Sequence, residues 1–262
     1  MNLNIEAHDL NVFSGFINPE SVAQDSQGNI YVSEIGEFNK DRDGKITLIA
    51  IDGTQSTFAS GMDDPKGLTF VGKSLYVTDK NRILKVETNG KWAVYGGTMS
   101  YPQTPIFLND ITSDAKGNLY VSDSGNLEKG GALFKINRDQ KVTLILNENS
   151  PEILAPNGVM FLKNTLYEVD FSSGILYKIN LKNKSIKKIA EGFSGGDGLI
   201  KSGDTFYISD WKNGKIFKVK NEKVTLFKEG FKSVADIALS SNGKSIIAPD
   251  MKAGTITVIA IH

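Results

Sequence analysis

The chain has 262 residues, with 30 basic and 30 acidic side chains, two histidines, no cysteine and 40% hydrophobic residues. Balanced charge excludes the basic excess that a nucleic-acid surface needs, and the lack of cysteine excludes a disulfide framework or a thiolate metal site. No apolar run is long enough for a membrane-spanning helix.

The opening segment MNLNIEAHDLN is polar and has no charged stretch leading into an apolar one, so no signal peptide is expected and a cytoplasmic protein is. Residues 11–16, NVFSGF, carry a small-residue signature that returns at FASGM and IAEGF. From Glu20 onward one phrase recurs six times: a polar opener, two alternating apolar segments joined by a Gly, Asn, Asp or Ser turn, then an acid. The copies are ESVAQDSQGNIYVSE, KGLTFVGKSLYVTD, NDITSDAKGNLYVSD, NGVMFLKNTLYEVD, DGLIKSGDTFYISD and DIALSSNGKSIIAPD, opened by Glu20, Lys66, Asn109, Asn157, Asp197 and Asp236. Each reads as an antiparallel hairpin with a buried face.

A third strand follows each acid (KITLIAI, RILKVE, ALFKIN, ILYKIN, KIFKVK, TITVIA), and a fourth follows turns such as DGTQ, TNGK and KNEK. Openers 39 to 48 residues apart match a four-stranded propeller blade. The sixth unit stops after its third strand, so residues 11–16 are expected to supply the fourth and close the ring, removing an exposed edge. The prediction is an all-β, six-bladed β-propeller with four antiparallel strands per blade, a single domain over 1–262, monomeric. The basic stretch LKNKSIKKIA reads as a solvated outer edge.

The long, irregular segments 34–45, 96–108, 123–131 and 147–156 all fall on one face, the face on which each opener enters its strand. Loops of that kind on a rigid scaffold carry binding. Six openers at one phase should converge on the axis, where Glu20, Asn109, Asn157 and Asp197 offer a hard-oxygen set suited to calcium, with another divalent metal as alternative. A wet axis with polar groups bonded to strand ends explains the same residues without a metal. The terminal acids Glu34, Asp79, Asp123, Asp170, Asp210 and Asp250 read as caps of the turn that follows them. The D-x-D-G of residues 41–44 lacks the distal glutamate of a calcium loop. His8 and His262 are expected at the periphery, so neither a histidine base nor a Ser-His-Asp triad is indicated.

NPESV around Glu20, LND around Asn109, PNGV around Asn157 and GDGL around Asp197 resemble the metal-binding positions of the senescence marker protein, gluconolactonase and luciferin-regenerating enzyme family. That resemblance implies a calcium-dependent hydrolase of a small-molecule lactone or ester, with Glu20, Asn157 and Asp197 on the metal, Asn109 on the metal or substrate, and Asp197 as general base. A phosphotriester or fluorophosphate hydrolase is a close variant. Sugar-lactone members carry a substrate-contacting arginine two residues before the position of Asn109; here it is Phe107, which with Ile106 and Tyr101 suggests either an apolar mouth or ordinary loop packing against a blade edge. Glu128 falls near a substrate-contacting glutamate of such members. Lys66 reads either as charge balance or as an oxyanion or carboxylate donor, and Asp236 as an outer-shell partner or a further ligand. DKNRILKV also resembles NHL-type repeats, so a non-catalytic binding propeller is the alternative class.

Overall fold

The computed structural model describes residues 11–38, 40–96 and 100–261; His8 and His262 lie outside the described residues. Six four-stranded antiparallel sheets follow one another along the chain, at 19–62, 65–94, 108–147, 156–191, 196–229 and 238–260. The sixth is completed by Asn11–Ser14, which pairs antiparallel with Thr255–Ala260, Asn11 opposite Val258 and Ser14 opposite Thr255. The fold is therefore the all-β, six-bladed propeller with a composite last blade that the repeats predict. The first strands of neighbouring blades touch one another and so surround the axis.

Each hairpin follows from local chemistry. In the first blade Asp25 accepts N–H groups from Gln27 and Asn29 at 2.9 Å each, and Gly28 takes a φ of 93° that a side chain would resist. Asp114 repeats the device with Lys116 and Asn118 in the third blade. Second strands such as Ser74–Asp79 and Leu119–Asp123 are buried on both faces, because each blade is sandwiched between two others. Their near-continuous apolar character is the consequence.

Six apolar layers fill the spaces between consecutive blades. One joins Tyr76 and Ile83 to Leu108 and Phe134, and another joins Ile247 and Ile256 of the last blade to Val22 and Val32 of the first. Burial of this surface closes the ring as much as the composite sheet does.

One residue breaks the pattern. Opposite Val22, Leu68, Ile111 and Leu199 stand Val32, Val77, Val121 and Ile208, but opposite Val159 stands Glu168. It is fully buried, neither carboxyl oxygen has a hydrogen-bond partner, and burial followed by repulsion from Asp170 pushes its pKa well above the ordinary 4.5. The unfolded chain releases this proton near the ordinary value while the folded chain keeps it. The associated stability is thus complete below about 4.5 and is lost as pH rises toward the raised folded value. Glu168→Val is expected to stabilise the protein at pH 8 by about 1–3 kcal/mol and to flatten the decline between pH 5 and pH 8. Urea unfolding at both pH values checks this, and a variant no more stable at pH 8 contradicts it.

Candidate axial site

The acid that ends each second strand fixes where the axial residues sit. In five blades it accepts backbone N–H groups from the segment entering the first strand: Ile17 to Glu34, Asp63 and Asp64 to Asp79, Ile106 and Phe107 to Asp123, Leu154 and Ala155 to Asp170, and Lys232 and Ser233 to Asp250. Four of the six terminal acids also cap the turn after them, Asp123 for Gly125, Asp170 for Ser172 and Ser173, Asp210 for Asn213 and Asp250 for Ala253, whereas Glu34 and Asp79 accept from the side chains of Thr47 and Arg82 instead. The expected capping role is present, with a larger one beside it.

Five first strands carry a β-bulge, between Pro19 and Val22, Pro65 and Leu68, Leu108 and Ile111, Pro156 and Val159, and Gly196 and Leu199, the first four of them immediately after that staple. A bulge re-aims side chains at the end of a sheet. Here each holds an opener and the residue after it. Hydroxyls on the second strand satisfy the freed backbone: Ser33, Ser122 and Ser209 accept from the N–H of Ser21, Asp110 and Gly198 at 2.9, 2.9 and 2.6 Å.

Five openers, Glu20, Lys66, Asn109, Asn157 and Asp197, line one cavity of about 360 Å³ and are buried. Asp236 does not belong with them. The strand partner of Asp250 is Val234, which matches Pro19 opposite Glu34 and Gly196 opposite Asp210, so the sixth opener position is Ala235. Two bonds agree. Ser209 donates to the Ala235 carbonyl at 2.7 Å as Thr78 donates to that of Asn109, and Met251 N–H donates to Ser233 O as Trp211 N–H does to Gly195 O. The sixth hairpin turn is one residue longer than DSQGN of the first, with Ser240 N–H bonded to Ser245 O where Asp25 N–H bonds Asn29 O, and this displaces the apparent phase.

Asp236 instead falls in a second layer with Ser21, Gly67, Asp110, Gly158 and Gly198. Ser21 donates to its carboxylate at 2.5 Å, its own N–H donates to Glu20 O, and it faces a separate cavity of about 400 Å³ lined by all six first strands. Glycine is required at three of these places by close approach: a Cβ on Gly67 would lie 2.6 Å from Asp110 Cα, one on Gly158 2.1 Å from Asp197 O, and one on Gly198 2.3 Å from Ile237 N.

The floor is electrostatically tense. Burial, then the charges of Asp197 and Asp110, raises the Glu20 pKa, with Lys66 opposing; burial, then Asp236 and Asp110, raises that of Asp197. Burial lifts Asp110 to about 6 against two backbone hydrogen bonds, from Val159 and Ile111. Lys66 is pushed down by burial and up by Glu20; its ammonium donates to Asp64 O at 3.1 Å and sits 4.2 Å from the Phe107 ring centre. Glu20 Oε2, Asn157 Oδ1 and Asp197 Oδ1 are buried without partners, and Asn109 commits its amide nitrogen to Ser124 at 3.0 Å. Among the described residues no three His, Cys, Asp or Glu side chains form a metal-binding group, so a cation here would depend on two carboxylates and two amide oxygens.

Of the other residues expected at the mouth, only Phe107 lines the cavity. Tyr101 turns into the interblade core, its ring 5.2 Å from that of Phe134, because an aromatic side chain gains more there than at a wet rim. Ile106 is 58% exposed and outside the cavity, held by its N–H to Asp123. Glu128 sits in a surface turn capped by Asn126, whose Oδ1 accepts the Glu128 N–H, and does not line the cavity. The residues that do form the wall are Ile35, Phe171, Trp211 and Met251, with Phe38, Leu127 and Lys212 at the rim. Each of the first four directly follows a terminal acid, a phase signal that was present in the repeats.

No protein-family model matches the sequence, and a search of curated proteins gives no match. Solved structures do align. A provisionally assigned gluconolactonase superposes with a TM-score of 0.76 at 14% identity, covering 97% of this chain and 93% of its own. An inactivated virginiamycin B lyase from Staphylococcus aureus bound to quinupristin gives 0.65 at 16% identity, covering 97% and 100%. A chain from a nidogen/laminin complex gives 0.67 at 19%, covering 80% and 79%. At such identities the likeness concerns the propeller fold, which serves enzymes and binding proteins alike.

Asp123 ties Ile106 and Phe107 beside Asn109. Asp123→Ala is expected to cost about 2–4 kcal/mol by leaving buried N–H groups unpaired, read as a lower urea midpoint; a change within about 0.5 kcal/mol contradicts the staple.

Proposed function

We propose that the axial cavity belongs to a hydrolase that opens a lactone or ester at a divalent cation held by Glu20, Asn109, Asn157 and Asp197. The observation that supports this most directly is the trio of buried, unpartnered oxygens on one floor, Glu20 Oε2, Asn157 Oδ1 and Asp197 Oδ1. Buried polar atoms without partners are costly and call for a ligand. The donor set is all hard oxygen, which suits calcium and lacks the nitrogen or sulfur that zinc prefers. When bound, such an ion would offset the acidic charge and polarise an ester carbonyl.

The chain's own residues supply the rest. Asp197 keeps a carboxyl oxygen free and has its pKa raised by burial, which makes its carboxylate a stronger base toward water. In the hydrolytic step the water oxygen bonds to the acyl carbon and its proton passes to Asp197. The acyl C–O bond then breaks, and the proton goes to the departing alkoxide, leaving a hydroxy acid or an acid and alcohol. Lys66, anchored by Asp64 O and Phe107, places a cation where carboxylate charge appears.

The aligned virginiamycin B lyase is inactivated by one histidine-to-alanine change. No histidine occurs among the described residues here, so a carboxylate base suits this chain better. Calcium at a hundred times its Kd is expected to stabilise the protein by about 2.7 kcal/mol, seen as a higher Tm, and a chelator is expected to abolish lactone hydrolysis. Asp197→Asn is expected to lower kcat by about 10²-fold or more. Hydrolysis indifferent to both, or no Tm shift with millimolar calcium, overturns the reading in favour of a binding propeller.

A further inference from the structure

The cavity is not uniform around the axis. The residues that follow the terminal acids are, in chain order, Ile35, Lys80, Ser124, Phe171, Trp211 and Met251, and four of them line the cavity. Four consecutive blades, the fourth, fifth, sixth and first, thus contribute Phe171, Trp211, Met251 and Ile35, an unbroken apolar crescent, whereas the matching residues of the second and third, Lys80 and Ser124, do not line the cavity. Beneath the crescent the ring of polar openers is interrupted by Ala235. Ile35, Ala235 and Met251 pack together with Trp211 against them, a cluster separate from the six interblade layers. Lys212 and Lys252 lie over the rings of Phe171 and Trp211 at 4.8 and 4.5 Å, which holds those rings in place. Phe38 and Leu127 continue the apolar surface outward and are 58% and 37% exposed.

We infer that the substrate is an apolar lactone or ester whose hydrocarbon arm lies in the crescent above Ala235 while its carbonyl faces Glu20, Asn109, Asn157 and Asp197. This rests on the hydrolase reading and adds the substrate class to it. A polyhydroxylated ring would set hydroxyls against Phe171, Trp211, Met251 and Ile35, whose side chains hold only the indole N–H as a donor, and would lose hydrogen bonds to water. An alkyl or aryl arm gains from leaving water on the same surface. The volume of about 360 Å³ lies at the small end of ligand cavities, roughly 300–1,000 Å³, so the arm is short.

Trp211 reports occupancy directly, since the chain has only one other tryptophan, Trp92, on an outer strand. In Trp92→Phe protein, a γ-lactam with a hexyl arm, which resists hydrolysis, is expected to change Trp211 emission saturably, and gluconolactam is not. Turnover is expected to favour the hexyl γ-lactone over gluconolactone in kcat/KM. In Met251→Gln that preference should shrink by about tenfold or more, with weaker lactam binding in the titration. Sugar lactam binding as tightly as the hexyl lactam, or no emission change with the hexyl lactam, overturns the inference. Gluconolactone turnover without hexyl-lactam binding overturns it and leaves the hydrolase reading intact. Saturable hexyl-lactam binding in a protein that hydrolyses no lactone or ester keeps the apolar arm site and overturns the hydrolase reading.

Discussion

The site depends on a buried carboxylate at the end of each second strand. By accepting the N–H groups that precede the first strand, Glu34, Asp79, Asp123, Asp170 and Asp250 lock the entry of the chain toward the axis. A charged acceptor makes these bonds stronger than neutral ones, and each is paired, so burial is tolerated. In the first four blades, with the entry held, the bulge that follows can turn one side chain onto the floor and bring the next against a neighbouring blade. The residue after the acid is held too: Phe171 N–H bonds Ala155 O and Trp211 N–H bonds Gly195 O, which sets wall and floor in register.

That construction concentrates acids where water is scarce. Burial raises the pKa of Glu20, Asp110, Asp197 and Asp236, repulsion from neighbouring acids adds to this at Glu20, Asp197 and Asp236, and among the four the buried ammonium of Lys66 opposes it at Glu20. The second-layer acids are satisfied locally, Asp110 by Val159 and Ile111 and Asp236 by Ser21. The first-layer acids line the cavity, and each retains a buried oxygen without a partner.

Much of this was readable because a repeat gives each position six chances to speak. The blade count, the composite last blade and five of the floor residues follow from phase alone. Asp236 misled because the sixth hairpin turn is longer by one residue, and a polar side chain one place late looks like an opener when only the terminal acid is used as reference. Tyr101 and Ile106 misled for another reason: both sit in a loop without periodicity, so sequence could not tell an aromatic bound for the core from one at the rim.

The amino-acid sequence by itself determined the propeller, its closure by residues 11–16 and the convergence of Glu20, Lys66, Asn109, Asn157 and Asp197, because alternation and repeat spacing are local and recur along the chain. Only the tertiary structure decided that Ala235 opens a gap in the polar ring and that Ile35, Phe171, Trp211 and Met251 form one apolar wall. Bulges, turn lengths and carboxylate staples set those placements, and their effect on side-chain direction appears only when strands pair.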